Sequence, residues 1–436
     1  NHFTLVPALV MGASQQRDVT ANGNSDWQTD NNLEPSLDVK WGITPDLNLN
    51  ATLNPDFSQV EADEAQVSVN DTFALFFNEK RAFFLDNADY FSSPLDLVYT
   101  RNVSSPDAGV KLTGRHDQQS FAFFAANDKS TTFIVPGNIS SDIAFLDEKS
   151  ENAVLRYRND VTPELSLGWI STLRQADDYH NFVHGLDLKY QWNDQNKLIA
   201  QVLHSDSQYP DALAAQLGGE AALRVSADGI SDMTKYLDYR HENRDWSWYS
   251  RYLEMGDNFR ADMGYQPQTD FYKQTHGGSY QWFSASPWWN RLQLWADWDM
   301  THNTNGELLE KEAEMEVQLW GAAQSYGFVG LTRRDRVGSR LDDNRLVVAG
   351  NSQLFTENTF SAGAEIKPYS GIFFGMEAEV GKKLDFRNNR LGDGVELAPE
   401  LKWNVDAHMQ IQARHIYRTL DADSAEVFTA NLTDLR

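Results

Sequence analysis

The sequence predicts an all-β protein, a transmembrane antiparallel up-and-down barrel of roughly 18–22 strands. Three observations carry that prediction. Apolar and polar residues alternate with a period of two in segment after segment, which sorts them onto the two faces of a strand. The polar faces are dense in charge and amide, as a water-filled lumen requires. The segments run to roughly 9–14 residues, enough to cross the hydrocarbon at a tilt and longer than sandwich strands usually are.

Composition agrees. The 436 residues include 13 Trp and 16 Tyr, yet the chain is polar on average, with a mean hydropathy of −0.55. No stretch approaches the ~20 apolar residues of a membrane helix. There is no cysteine, which excludes disulfides, thiolate metal sites and cysteine nucleophiles. The net charge of −26 argues against nucleic acid, whose phosphates need the opposite sign. Acidic loops or an acidic lumen that gathers cations would account for it.

Residues 2–10 already read as a strand, so an export signal is expected upstream of Asn1. Next, Leu47, Leu49, Ala51 and Leu53 alternate with Asn48, Asn50, Thr52 and Asn54. Phe182, Leu186, Leu188, Tyr190 and Trp192 oppose Asp187, Lys189 and Gln191. Leu292, Leu294, Ala296, Trp298 and Met300 oppose Arg291, Gln293, Asp297 and Asp299. The clearest case follows: Ala313, Met315, Val317 and Leu319 against Glu312, Glu314, Glu316 and Gln318. Phe360, Ala362, Ala364 and Ile366, then Phe374, Met376, Ala378 and Val380 against Glu377 and Glu379, continue the rhythm. Met409, Ile411, Ala413 and Tyr417 close it against Gln410, Gln412, Arg414 and Arg418. Trp192, Trp298 and Tyr417 stand near strand ends, where an interfacial aromatic belt would sit.

Connections alternate in length. Tight turns are expected at 44–46, 116–119, 193–196 and 243–245, on the periplasmic side. Longer polar stretches at 21–32, 128–150, 205–220, 303–309 and 386–394 are expected outside the cell. The whole chain, 1–436, reads as one barrel domain.

Residues 56–91 break the alternation. Phe73–Phe77 and Phe83–Phe84 flank the charged triplet Glu79, Lys80 and Arg81. In lipid that stretch would be costly, so it is expected to fold into the lumen or sit at a barrel mouth. The triplet would act there as an internal ion-pair clasp or as a constriction.

Three blocks here resemble one family. They are Leu37-Asp38-Val39-Lys40-Trp41-Gly42-Ile43-Thr44-Pro45-Asp46, Asn54-Pro55-Asp56-Phe57-Ser58-Gln59-Val60-Glu61-Ala62-Asp63 and Phe76-Phe77-Asn78-Glu79-Lys80-Arg81-Ala82-Phe83-Phe84. Weaker echoes continue at 109–114, 154–158, 185–187 and 258–264. The chain resembles the C-terminal outer-membrane barrel domain of the DUF5916 family, although Asn78 and Ala82 stand where the family pattern has Pro. The resemblance implies an outer-membrane location and a family 9 carbohydrate-binding-like domain upstream. The chain stops at Leu435-Arg436 without a terminal aromatic, so a further closing strand is expected beyond it.

Catalytic chemistry is not expected. The histidines His184, His204, His241, His276, His302, His408 and His415 are scattered singly, and no nucleophile elbow or zinc-protease motif occurs. Asp86 and Asp89, and the adjacent Asp342 and Asp343, lack the spacing of a calcium loop and read as solvated turns. No metal or other cofactor is expected. An acidic lumen face of Asp297, Asp299, Glu312, Glu314, Glu316, Glu377 and Glu379 would bias an open pore towards cations or neutral, hydroxyl-rich solutes. Trp320, on the water-facing parity, offers a ring for sugar stacking.

The function expected is a channel or conduit for a polar solute, a glycan being the candidate suggested by the resemblance. The alternative is a scaffold that encircles or anchors a partner protein, such as a surface lipoprotein, a secreted chain or an electron carrier. Expected partners are outer-membrane lipid, lipopolysaccharide and such a protein, with no nucleic acid.

Overall fold

The computed structural model describes residues 2–19, 25–55, 57, 60, 63, 65–217, 221–222, 224–339, 353–406 and 408–436. In chain order the strands begin with β1 (Phe3–Val19), β2 (Ser25–Thr44), β3 (Leu47–Leu53), β4 (Ala108–His116) and β5 (Gln119–Asp128). A separate hairpin of β6 (Thr131–Val135) and β7 (Asp142–Leu146) precedes β8 (Ser150–Asp160), β9 (Leu165–Gln175), β10 (His180–Asn193) and β11 (Asn196–Gln208). Then come β12 (Ile230–Glu242), β13 (Trp246–Met255), β14 (Phe271–Phe283), β15 (Trp289–His302), β16 (Leu308–Gly321) and β17 (Tyr326–Val337). The last are β18 (Leu354–Tyr369), β19 (Ile372–Asp385), β20 (Arg390–Asn404), β21 (Gln410–Ala422) and β22 (Ala425–Leu435). All but the β6–β7 hairpin form one 20-stranded sheet, each strand antiparallel to its predecessor in an uninterrupted meander. Among the described residues no ladder joins β1 to β22, and β1 exposes side chains of both parities, Leu5 and Val6 alike.

The sheet is curled into a barrel. Laid flat, it would hold β4 and β19 roughly 60 Å apart at ~4.8 Å per strand. Yet Phe83 O accepts a hydrogen bond from Lys111 of β4 at 2.7 Å, while Asn70 donates to Leu384 O of β19 at 2.7 Å. The thirteen residue steps from Asn70 to Phe83 reach at most ~45 Å even when fully extended. Only a sheet wrapped around them satisfies both contacts.

Burial is inverted relative to a soluble sandwich. On β16, Met315 and Leu319 are each 46% exposed while Glu312 is 8% exposed. The apolar face therefore looks outward to the bilayer and the acids look in, as in an outer-membrane barrel that crosses many times. An outward groove of about 650 Å³ over Ala51, Val110, Ala125 and Ala153 belongs to that lipid-facing surface. The aromatic belt is continuous along the end carrying the short turns. Trp192 stacks on Tyr239 at 5.8 Å, Tyr239 meets Trp248 at 4.9 Å, and Tyr280 meets Trp282 at 4.8 Å. Trp298 and Tyr417 lie towards the other end, just inside the level at which Lys311 pairs with Asp335 and Lys382 with Asp393 on the outward face.

The four tight turns expected at 44–46, 116–119, 193–196 and 243–245 all fall at one end of the barrel, and the long connections fall at the other, together with the short turns at 176–179 and 423–424. Three boundaries differ. Residues 25–32 belong to β2 and not to a loop; they pair with β1, because a ladder beyond the lipid needs only backbone groups and is indifferent to polar side chains. For the same reason β11 runs on to Gln208 and β20 begins at Arg390. The inward excursion is wider than 56–91: no strand occurs among the described residues of 54–107, where Pro94 and Pro106 prevent a ladder from resuming.

Candidate functional site

The described residues of 54–107 enter the lumen and are pinned there by one arginine. Glu79 and Arg81 are two apart in extended backbone, which brings their side chains to the same side. Arg81 Nε donates to Glu79 Oε1 at 2.8 Å and Nη2 donates to Oε2 at 2.7 Å, a bidentate pair. The guanidinium also donates to Val103 O and Thr100 O, each at 2.7 Å, and sits 4.1 Å from the centroid of the Phe84 ring. Arg81 is thus 5% exposed and stitches the start of the short helix α1 (Ala82–Leu85) to the returning chain at 100–103. Burial alone would raise the Glu79 carboxyl. The Arg81 guanidinium and the Thr100 hydroxyl (2.6 Å) outweigh it and hold the group at about 2. The Lys80 amide donates to the same carboxylate at 3.0 Å. Asp86 pairs with Lys40 of β2, tying the segment to the wall. Asp89 lies in the turn at 88–91. Asp342 and Asp343 fall outside the described residues. Among the described residues no group of three His, Asp or Glu is placed to hold a metal.

A second segment, residues 256–270, folds inward between β13 and β14. Asp262 is fully enclosed, accepting from the Tyr179 hydroxyl at 2.7 Å and the Tyr209 hydroxyl at 3.0 Å. Its amide donates to Asn181 Oδ1 at 2.9 Å. Arg174 bonds Thr132 O and Asn102 O at 2.7 and 2.9 Å, and Asn102 bonds Asp262 O and Gly264 O, each at 2.9 Å. Burial pushes the Asp262 carboxyl up, against the tyrosine hydroxyls and the nearby Arg174 and Arg260, and pushes both tyrosines well up. The two inward segments touch at Gly264, where a Cβ would collide with Asp96 O and lie 2.9 Å from Leu97 Cα. Around these polar contacts sit three apolar clusters, centred on Phe84, Phe91 and Phe124, on Leu97, Phe259 and Met255, and on Phe133, Tyr179 and Tyr209. The apolar core of this protein is therefore inside its lumen.

The filling is confined to one half. On β8 the inward residues Ser150, Asn152, Val154 and Arg156 are buried and Arg158 is exposed. On β18 Phe355, Glu357 and Thr359 are buried, Ser361 is half-buried and Glu365 is exposed. The same gradient runs along β12, from Thr234 and Asp238 to the exposed Glu242. A stopper occupies the half nearest the long connections, and an open cup occupies the half nearest the turns at 44–46, 116–119, 193–196 and 243–245.

The seven acids of the expected lumen face share one wall, β15 to β19, with inward basic partners among them. Asp299 pairs with Lys273 at 2.9 Å, Glu312 with Arg334, and Glu379 with Lys383. Asp297 and Glu314 accept from Tyr249 and Thr332, at 3.1 and 3.4 Å. Glu316 accepts from Gln318, and Glu377 is exposed to the cup. The structure does not bring this row to Glu79 and Arg81, which pack near β4 and β5. Trp320 faces inward, with the Arg291 guanidinium 3.5 Å from its ring centroid and the Tyr326 ring at 5.0 Å. Among the described residues, none of His184, His204, His241, His276, His302, His408 and His415 forms an ion pair with a carboxylate that would orient a base. His184 and His204 oppose each other on the outward face, rings 5.2 Å apart, and His276 bonds Ser250 at 3.0 Å across a ladder. His180 alone of this outward set pairs with an acid, Asp206, at 2.9 Å.

Sequence reasoning missed the Asp262 junction and the basic residues of the opposite wall. The block at 258–264 signalled the first, and Arg156 and Arg158 two apart signalled the second.

Residues 14–134 match the family model of DUF5916, a domain of unknown function. No curated protein matches the chain. Among solved structures, OccK10 (OpdN) of Pseudomonas aeruginosa is 12% identical at a TM-score of 0.42, over 76% of this chain and 93% of its own. OccAB3 of Acinetobacter baumannii is 10% identical at 0.43, over 75% and 90%. The FrpB iron transporter of Neisseria meningitidis is 10% identical at 0.48, over 100% and 74%.

Proposed function

We propose that this chain, whose residues 14–134 match the DUF5916 model, is a gated conduit for a polar solute across the outer membrane. One observation supports this reading above the others: inward residues are buried in the half nearest the long connections and open to water in the other half, which this reading places on the periplasmic side. Twenty tilted strands enclose a backbone diameter on the order of 40 Å, far more than side chains alone can fill. The stopper closes that space with the chain's own loops, so transport needs it to shift. The cup supplies hydrated walls, and Trp320, Tyr326 and Arg291 offer flat faces on which a glycan ring would stack.

Planar-bilayer recording tests it. The full chain is expected to conduct weakly, and a variant with 54–107 replaced by a short Gly-Ser linker is expected to open in large steps. A folded, heat-modifiable linker variant that stays silent would overturn the conduit. The open cup also gives the scaffold alternative a footing, since a periplasmic partner would seat there; a stoichiometric second protein co-purifying from native membranes would favour it.

A further inference from the structure

We infer that the cup contains an oxyanion-binding cleft under the stopper, on the wall made by β4, β8, β9 and β10, and that the solute carries a carboxylate or phosphate. This rests on the conduit reading and names its solute class. The cleft encloses about 560 Å³. Its floor and sides carry Arg115, Arg158 and Lys189, all exposed to the cup, and its roof is Ser92, Ser93 and Pro94 of the stopper.

The cations there exceed what the local acids neutralise. Arg156 is committed, with Nη2 on Asp187 at 2.9 Å and Nε on Ser92 O at 3.1 Å. Asp160 is shared at long range by Arg115, at 3.6 Å, and Arg158, at 4.0 Å. Glu164 accepts from the Thr162 hydroxyl at 2.8 Å. Among the described residues Lys189 makes no ion pair. The Ser166 hydroxyl, directly across the ladder from Lys189, is enclosed and has no partner. The guanidinium groups of Arg115 and Arg158 and the Lys189 ammonium line one space and suit an oxyanion, which accepts from all three, while the enclosed Ser166 hydroxyl lies between Lys189 and Asp160 on the adjoining ladders.

That surplus runs against the chain's net charge of −26. The acidic residues collect instead at Glu365, Glu377 and Glu400, about half-way round the sheet. At physiological salt the screening length is about 8 Å, so an acidic wall on the order of 30 Å away does not cancel the field in the basic cleft. An occupant would lie between Arg158 and the stopper's 92–94 turn, and so touch the element that must move.

Calorimetric titration of the full chain in detergent, with inorganic phosphate, glucuronate and glucose, tests the cleft. Saturable binding of phosphate, glucuronate or both, with none for glucose, is expected; binding of only one says which oxyanion the cleft prefers. The double variant R158Q/K189Q should weaken that binding by about tenfold or more. The opposite-wall double variant E377Q/E400Q should leave it unchanged. No heat with either anion, or equal binding by R158Q/K189Q with a heat-modifiable band intact, would overturn the cleft. The readout needs no current: binding in a barrel that never conducts would sink the conduit and keep the cleft, and conduction without binding would do the reverse.

Discussion

At the scale of the residue, Arg81 does most to hold the stopper. Its donors are spent on the Glu79 carboxylate and on the backbone carbonyls of Thr100, Val103 and Ser104, with aromatic rings closing them off from water. Arg81→Ala leaves Glu79 buried and unpaired, a defect that costs about 3–5 kcal/mol in such settings. The expected result is fast amide exchange across 66–107 while the strand ladders stay protected. The pair also gives a pH dependence. The Glu79 carboxyl sits at about 2, below its ordinary 4.5, so its contribution is complete above pH 4.5 and is lost as pH falls towards 2. Protease nicking of 66–107 should therefore rise between pH 4.5 and 2 in the wild type, and Glu79→Gln should flatten that rise. Asp262 has the opposite sign: its carboxyl is raised, so the folded junction takes up a proton more readily than the unfolded chain and tightens as pH falls. Nicking confined to 256–270 under acid would contradict that assignment.

At the scale of the element, strand parity decides the environment of every side chain. Val317 faces lipid and Gln318 faces the lumen, one residue apart. Val317→Arg should cost about 2–4 kcal/mol in folding into bilayers, whereas Gln318→Arg should stay within about 0.5 kcal/mol. Equal costs would mean that the faces are misassigned. The strands were legible because period two is a local property, visible in 312–319 without knowledge of any neighbour. The ends of β2, β11 and β20 were not, because pairing beyond the lipid leaves no mark in the pattern of side chains. Residues 92–107 were similarly silent: they lack the charged and aromatic signature of 73–84, yet their carbonyls take up Arg81.

At the scale of the whole molecule, the sequence by itself determined the barrel, the direction its faces point and the presence of an inward segment. Each follows from residue types at short spacing and from the cost of charge in hydrocarbon. Only the tertiary structure decided how far the stopper fills the lumen, that Asp262 meets Tyr179 and Tyr209, and that Arg115, Arg158 and Lys189 line a different wall from Glu365, Glu377 and Glu400. Those facts depend on the curl of twenty strands and on their summed registers. Asp187 and Glu377 both read as inward from sequence, but which wall an inward residue occupies is fixed by ladders spanning the whole chain. A chain this long writes its faces locally and its interior globally.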